Sequence, residues 1–326
     1  MDAFLLVSYG APERKDDVVP FLENLFAGKN VSRKRITAAA EKYDEFARQT
    51  GRFSPLNDEC RSLIAGIRQD FVGTPAAPPI YWGNLFWHPR LDDTLAEMAD
   101  DGVTRAVCFI TSAFGSHASR QRYIEAVEAV RSNIAPGILE IVWLPLPFDH
   151  PLFLEAQADR LLEALAWAAL DKFAQSNEND IYVLFTAHSI PKSDTGVSEY
   201  VDQLTECARK IIELCGLLSW ELIWQSRSAG CPDDWLGPDI KDRIREIDAE
   251  GRYRTVVVSP LGFFCENMET ANDLDLELGK LCDELDLGFF RARAVGASPK
   301  ICRMIREMTC AALSQPPTPN PRPTHP

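Results

Sequence analysis

No stretch of this chain approaches 18 uninterrupted apolar residues; the best candidate, Leu161 to Leu170, is broken by Glu163, so no membrane-spanning helix is expected. Basic residues are outnumbered, with 34 Lys and Arg against 48 Asp and Glu, a formal net charge of −14 and no basic cluster longer than Arg33-Lys34-Arg35. A nucleic-acid backbone would repel such a chain, and nucleic acid is excluded as an expected partner. The nine cysteines (60, 108, 207, 215, 231, 265, 282, 302 and 310) include no C-x-x-C pair. Scattered in this way they fit reduced thiols better than a disulfide frame or a structural zinc site. Also lacking are G-x-G-x-x-G after any strand, G-x-x-x-x-G-K-[ST] and the G-x-S-x-G elbow, which disfavours a nucleotide cofactor and serine-based acyl transfer. The opening MDAFLLVSYG has an acidic second residue and an apolar run of only about five, unlike a secretory signal, so a cytoplasmic location is expected.

What is present is enough apolar content, 46% of 326 residues, to bury a large core or two. Four β-rich runs end abruptly in small or polar residues: FLLVSYG (4–10), RAVCFITSAFGS (105–116), IYVLFTAHS (181–189) and RTVVVSPLG (254–262). Their continuous apolar character marks parallel strands covered on both faces. Further strand candidates lie at 79–84, 139–146 and 220–226, and helical patterns at 91–102, opening after Pro89, and 200–216, stopping at Gly216. Strand and helix alternate across both halves, which predicts a doubly wound α/β architecture of two similar lobes with a boundary near 146–151. Open α/β sheets bind ligands beyond the carboxyl ends of their strands, so loops at Tyr9, Ser112, His188 and Gly262 are expected to face one crevice. Six of the last twelve residues are proline, predicting an extended mobile tail after a C-terminal helix, PKICRMIREMTCAAL.

Two places on this scaffold carry chemistry. His188 ends a buried strand in FTAHSIP; imidazole exchanges protons near neutral pH, and the bland alternative is a structural histidine bonded to a nearby carbonyl. In ENMETANDLDLELG (266–279) a helix would set Glu269, Asp273 and Glu277 at i, i+4 and i+8 on one face. That face is either a solvated acidic surface or a track of hard oxygen ligands leading a divalent cation to the crevice, Glu269 innermost. His117 lies in a loop able to face the crevice, His88 fits a capping or core role, and His150 and His325 fit loop and tail.

The segments VSYGAP, YWGN…WHP, TAHSIP, WQSR, WLGPD and SPLGFFCENMETANDLD, in this order and spacing, resemble the ferrochelatases over about residues 2 to 312. The resemblance implies two Rossmann-like lobes, each a parallel four-stranded sheet flanked by helices, with the active-site cleft between them. The expected boundaries are 1–147 with the C-terminal helix 298–314, then 148–297, then a disordered tail 315–326. It implies insertion of Fe²⁺ into a porphyrin in haem biosynthesis, with iron as substrate and no organic cofactor. His188 matches the family's proton acceptor and Glu269 its partner, and Asp273 and Glu277 match the trailing carboxylates, so His188, Glu269, Asp273 and Glu277 are the expected metal contacts. Tyr9 matches the axial tyrosine of the coproporphyrin-using branch and Ser54 a propionate contact; Lys29, Arg52, Phe114 and His117 complete the expected porphyrin-binding set.

Several positions depart from the family. Phe26 and Ala27 stand where relatives carry arginines, Leu85 replaces a basic residue, Arg52 a glycine, Phe114 a tyrosine, and Glu266-Asn267 an acid-histidine pair. Lys29, Arg33 and Arg52 are the expected compensating cations. Cys302 and Cys310 stand alone before the tail, so no [2Fe–2S] cluster is expected. Tyr9 favours coproporphyrin III over protoporphyrin IX, and a monomer is the expected unit. The alternatives are a degenerate porphyrin or haem binder and a chelatase for another metal or tetrapyrrole.

Overall fold

The computed structural model describes residues 1–316 except 30, 76, 135–138, 171–179, 217–218 and 228–233. Strands β1 (Asp2–Ser8), β2 (Ile80–Asn84), β3 (Arg105–Ile110) and β4 (Glu140–Trp143) form a parallel sheet in the order β2-β1-β3-β4. Strands β5 (Ile181–His188), β6 (Trp220–Gln225), β7 (Thr255–Ser259) and β8 (Gly288–Arg291) form a second in the order β6-β5-β7-β8. The continuous apolar runs are buried on both faces because each sheet has a helical layer on either side. In β1, Phe4 and Leu6 enter a core shared by both sheets, while Ala3, Leu5 and Val7 enter an outer one; in β5, Phe185 faces the shared core and Leu184 an outer one.

The helices are α1 (Lys15–Leu25), α2 (Arg33–Thr50), α3 (Leu56–Asp70), α4 (Leu91–Asp100), α5 (Arg122–Ile134), α6 (Pro151–Leu170), α7 (Val197–Cys215), α8 (Ile240–Glu250), α9 (Gly279–Glu284) and α10 (Pro299–Leu313). Between the sheets, α3, α6, α7 and α10 contribute Leu63, Phe153, Ile211 and Ile305 to the shared core. At a fully buried ring such as Phe153, truncation to Ala costs about 3–5 kcal/mol. Outside, α4 and α5 cover the first sheet and α8 and α9 the second. The α1–α2 hairpin, which has no counterpart among the expected helices, forms a small core of Val18, Phe21 and Leu22 packed with Tyr9, Tyr43 and Phe86 at the end of β1.

The expected helix ends are found: α4 starts at Leu91 behind Pro89, and α7 stops at Gly216, whose left-handed φ of 69° is open to glycine without a Cβ penalty. The start of α7 lies three residues ahead of the pattern, at Val197. The acidic segment is helical but wound differently from expectation: Thr270–Leu278 is a π-helix running into α9, and a second π-helical turn, His117–Gln121, precedes α5. Of the tail 315–326 only Gln315 and Pro316 are described, and the Gln315 carbonyl accepts from Arg105 Nη1 at 2.8 Å. No helix among the described residues is long and apolar enough to cross a membrane. The eight described cysteines are free thiols; Cys231 lies outside the described residues.

Candidate active site

Parallel pairing puts the carboxyl end of every strand on one edge of its sheet, and the two edges meet. The loop after β3 bonds to the second half through Gly115 N–H to Gln203 Oε1 (2.7 Å) and His117 N–H to Asp194 Oδ1 (3.2 Å). Tyr9 leaves β1 through Gly10, at φ 78°, where a Cβ would lie 2.9 Å from Asn84 Cβ; the turn requires glycine. Its ring sits 4.5 Å from that of Phe86. Burial pushes the Tyr9 phenol up to about 12, with the Glu269 carboxylate adding to the rise and Arg122 opposing it. Tyr9 follows β1 of the first sheet and Glu269 follows β7 of the second, so the field of Glu269 on Tyr9 crosses between the two halves.

His188 is the last residue of β5, one-third exposed, its carbonyl accepting from Tyr200 Oη at 3.2 Å. Nδ1 lies 2.5 Å from the Ser189 carbonyl oxygen, and a carbonyl only accepts, so in the neutral ring Nδ1 carries the proton and Nε2 is the open nitrogen. Nε2 stands 3.6 Å from Glu269 Oε1, within ion-pair range and beyond a direct hydrogen bond. Burial favours the neutral imidazole, but the Glu269 carboxylate, the Ser189 carbonyl and the field of Asp273 outweigh it and hold the pKa up to about 9. For Glu269 burial likewise opposes charge, and His188 together with Lys42 of α2 outweighs it, leaving the carboxyl below its ordinary value.

Beyond Glu269 the π-helix carries the next two carboxylates outward. Ser226, in the left-handed region at φ 61°, turns its hydroxyl onto Asp273 Oδ2, and Asn272 Nδ2 donates to Oδ1 at 3.1 Å. Burial, with the fields of Glu269 and Glu277, still raises the Asp273 pKa. Glu277 accepts from Lys241 Nζ at 2.7 Å and Asn272 Nδ2 at 2.9 Å; burial notwithstanding, these partners hold its carboxyl below the usual value. The segment is anchored from behind by buried Glu266, which accepts from Thr270 Oγ1, Arg291 Nη1 and Ala294 N–H at 2.9, 2.9 and 2.8 Å. Among the described residues no three His, Cys, Asp or Glu side chains converge on one metal position. His188, Glu269, Asp273 and Glu277 thus form a row, not a cage.

The porphyrin-side candidates scatter more. Ser54 Oγ accepts from Leu56 N–H (3.3 Å) at the start of α3, and Arg52 is exposed beside it. Phe114 is 1% exposed, its ring edge-on to Phe153 in the shared core, and presents no face to the cleft. His117 is more than half exposed, with Nε2 3.8 Å from Glu125 Oε1. Lys29 is exposed and held below its ordinary pKa, first by partial burial, then by the guanidiniums of Arg122 and Arg35. Arg122, absent from the sequence-level set, lies with Cζ 4.5 Å from the Phe86 ring centroid and 5.8 Å from that of Tyr9. In SRQRY it reads as one more polar residue at a helix start, and only the chain's return past β1 reveals it. Lys42, Ser226 and Lys241 were equally illegible, since each meets the row from a different element.

Two parallel four-stranded sheets flanked by helices make an α/β chelatase fold, which solved class II chelatases share. SirB from Bacillus subtilis with Fe³⁺ aligns with TM-score 0.55 at 13% identity over 96% of each chain. The sirohydrochlorin chelatase SirB from Bacillus subtilis subspecies spizizenii in complex with cobalt aligns with TM-score 0.52 at 14% identity, over 95% of this chain and 94% of that one. The sequence model of the family Ferrochelatase matches residues 1–313. A ferrochelatase of Rhodopirellula baltica is 38% identical over 93% of this chain and 84% of its own. Coproporphyrin III ferrochelatases of Frankia alni and Nocardia farcinica are 40% and 37% identical over 94% of this chain and 79% and 87% of theirs. The chain belongs to the ferrochelatase family, enzymes that insert iron into a porphyrin.

Proposed function

We propose that this enzyme inserts Fe²⁺ into coproporphyrin III to give coproheme, as a soluble cytoplasmic monomer serving haem biosynthesis. The observation that carries the reading is the His188–Glu269 pair at the end of β5, whose carboxylate also reaches Tyr9 at the end of β1 and adds to the rise of its phenol pKa. We divide the chain accordingly into 1–147 with 298–314, and 148–297.

Metal enters a porphyrin only as two pyrrole N–H protons leave, so insertion needs a base on one face and a metal supply. In its neutral form His188 accepts a proton at Nε2, the nitrogen left open by the Ser189 carbonyl. Glu269 stabilises the imidazolium so formed, and Asp273, with its raised pKa, is suited to take the proton onward. The same carboxylate oxygens are hard donors suited to Fe²⁺ arriving along the row. Four ring propionates are anionic; Arg122 lies over the Tyr9 ring and Lys29 lies within the fields of Arg122 and Arg35, which gathers positive charge on this side of a chain of net charge −14. That positive charge supports a tetracarboxylate over a dicarboxylate ring, as do the names of two relatives.

Anaerobic turnover with Fe²⁺ and coproporphyrin III or protoporphyrin IX side by side tests both levels. Faster metal-dependent Soret change with coproporphyrin III is expected. Equal or faster turnover of protoporphyrin IX overturns the substrate choice, and no change with either ring overturns iron insertion.

A further inference from the structure

The row of carboxylates carries a cation at its solvent end that iron insertion does not require. Lys241, in the first turn of α8, donates from Nζ to Glu277 Oε2 at 2.7 Å, and Asn272 Nδ2 satisfies Oε1 at 2.9 Å. Both oxygens of the outermost carboxylate are therefore engaged, and a divalent ion reaching Glu277 meets an ammonium already in place. The base of the lysine is fixed: its own N–H donates to Asp239 Oδ1 at 2.9 Å, the N-cap of α8, and Ile240 and Ile244 pack with Leu274 and Leu278 of the π-helix. Its tip is open to water, the Lys241 and Glu277 side chains being 39% and 41% exposed.

We propose that Lys241 is a tethered counter-cation that occupies Glu277 in the metal-free enzyme and yields to an incoming divalent ion, setting the metal concentration at which the row fills. The proposal rests on the reading of Glu269 to Glu277 as the metal's entry route. A contrast within the same segment argues against a simple strut. Arg291 grips buried Glu266 and, through two guanidinium nitrogens, Asp275, and its side chain is only 12% exposed; that is how this fold holds the π-helix in place. The Lys241 pair is water-accessible, monodentate and carried on a flexible stem, so salt and competing cations weaken it. A divalent ion at Glu277 brings twice the charge of the single ammonium, and the ammonium can swing into solvent without disturbing α8.

The test uses Co²⁺ titrated calorimetrically into the porphyrin-free enzyme, beside anaerobic Fe²⁺ kinetics. K241Q is expected to bind Co²⁺ up to about fivefold more tightly and to lower the KM for Fe²⁺ by a similar factor, the change falling in KM rather than kcat. K241R, which keeps the charge, returns both toward wild type. In an E277Q background the K241Q gain disappears. Co²⁺ binding by K241Q no tighter than wild type overturns the proposal, as does a gain that persists undiminished over E277Q. Failure of the wild-type enzyme to insert iron would instead strike the reading beneath it, and the Co²⁺ comparison stands apart from that result.

Discussion

The first and second sheets run their strands in the same order, yet the carboxyl ends of their leading strands present opposite fields. At the end of β1 stand Tyr9 and Phe86 under the Arg122 guanidinium, with Lys29 and Arg35 near enough to repel. At the end of β5 stands His188 against Glu269, with Asp273 and Glu277 leading outward. The duplicated scaffold thus supplies two rigid edges and says nothing about their charge. In the proposed function one edge takes the anionic rim of a porphyrin and the other takes protons and a metal cation. A net charge of −14 averages these fields and hides both.

The comparison breaks most sharply at His188. H188A is expected to lower kcat by about 10²–10⁴-fold while porphyrin still binds, as measured by Soret titration, because a base is lost from only one edge. Activity within tenfold of wild type would move the proton acceptor elsewhere. A crossed pair of variants tests the division of labour: D273N should raise the KM for Fe²⁺ about tenfold and R122A the KM for coproporphyrin III about tenfold, each leaving the other substrate's KM near wild type. If either variant moves both constants together, the two edges do not act separately.

The smallest expected effect is on stability. His188 titrates at 6.5 when unperturbed and at about 9 in the fold, so the folded state binds its proton more tightly than the unfolded chain. The pair's contribution is fully present below pH 6.5 and is lost as pH rises through about 9. The Tm advantage of wild type over E269Q should therefore shrink across that window in metal-free protein. An advantage that stays constant would show that charge on His188 does not link the two residues.

The strands, the covered faces and several helix ends were legible because they depend on near neighbours along the chain. FLLVS and YVLFTAH are too apolar for any solvent-facing strand, and Gly216 stops α7 through its own backbone. His188 and Glu269 were legible for the same reason, each lying at or just past a recognisable strand end. The π winding was not: Leu274 and Leu278, four apart and buried beside α8, suit an α-helix equally well. Phe114 follows β3 toward the crevice in sequence but turns into the shared core, where Phe153 from α6 receives it.

By itself, then, the sequence determined the alternation of parallel strands and helices, and the histidine and carboxylates that lie at and beyond the strand ends. Only the tertiary structure decided which charges meet them. Arg122 over Tyr9, Lys42 within the field of Glu269, Ser226 on Asp273 and Lys241 on Glu277 each join segments far apart in the chain. Such pairings follow from the packing of whole layers through non-directional apolar burial, which brings polar partners together without leaving a local pattern in either segment.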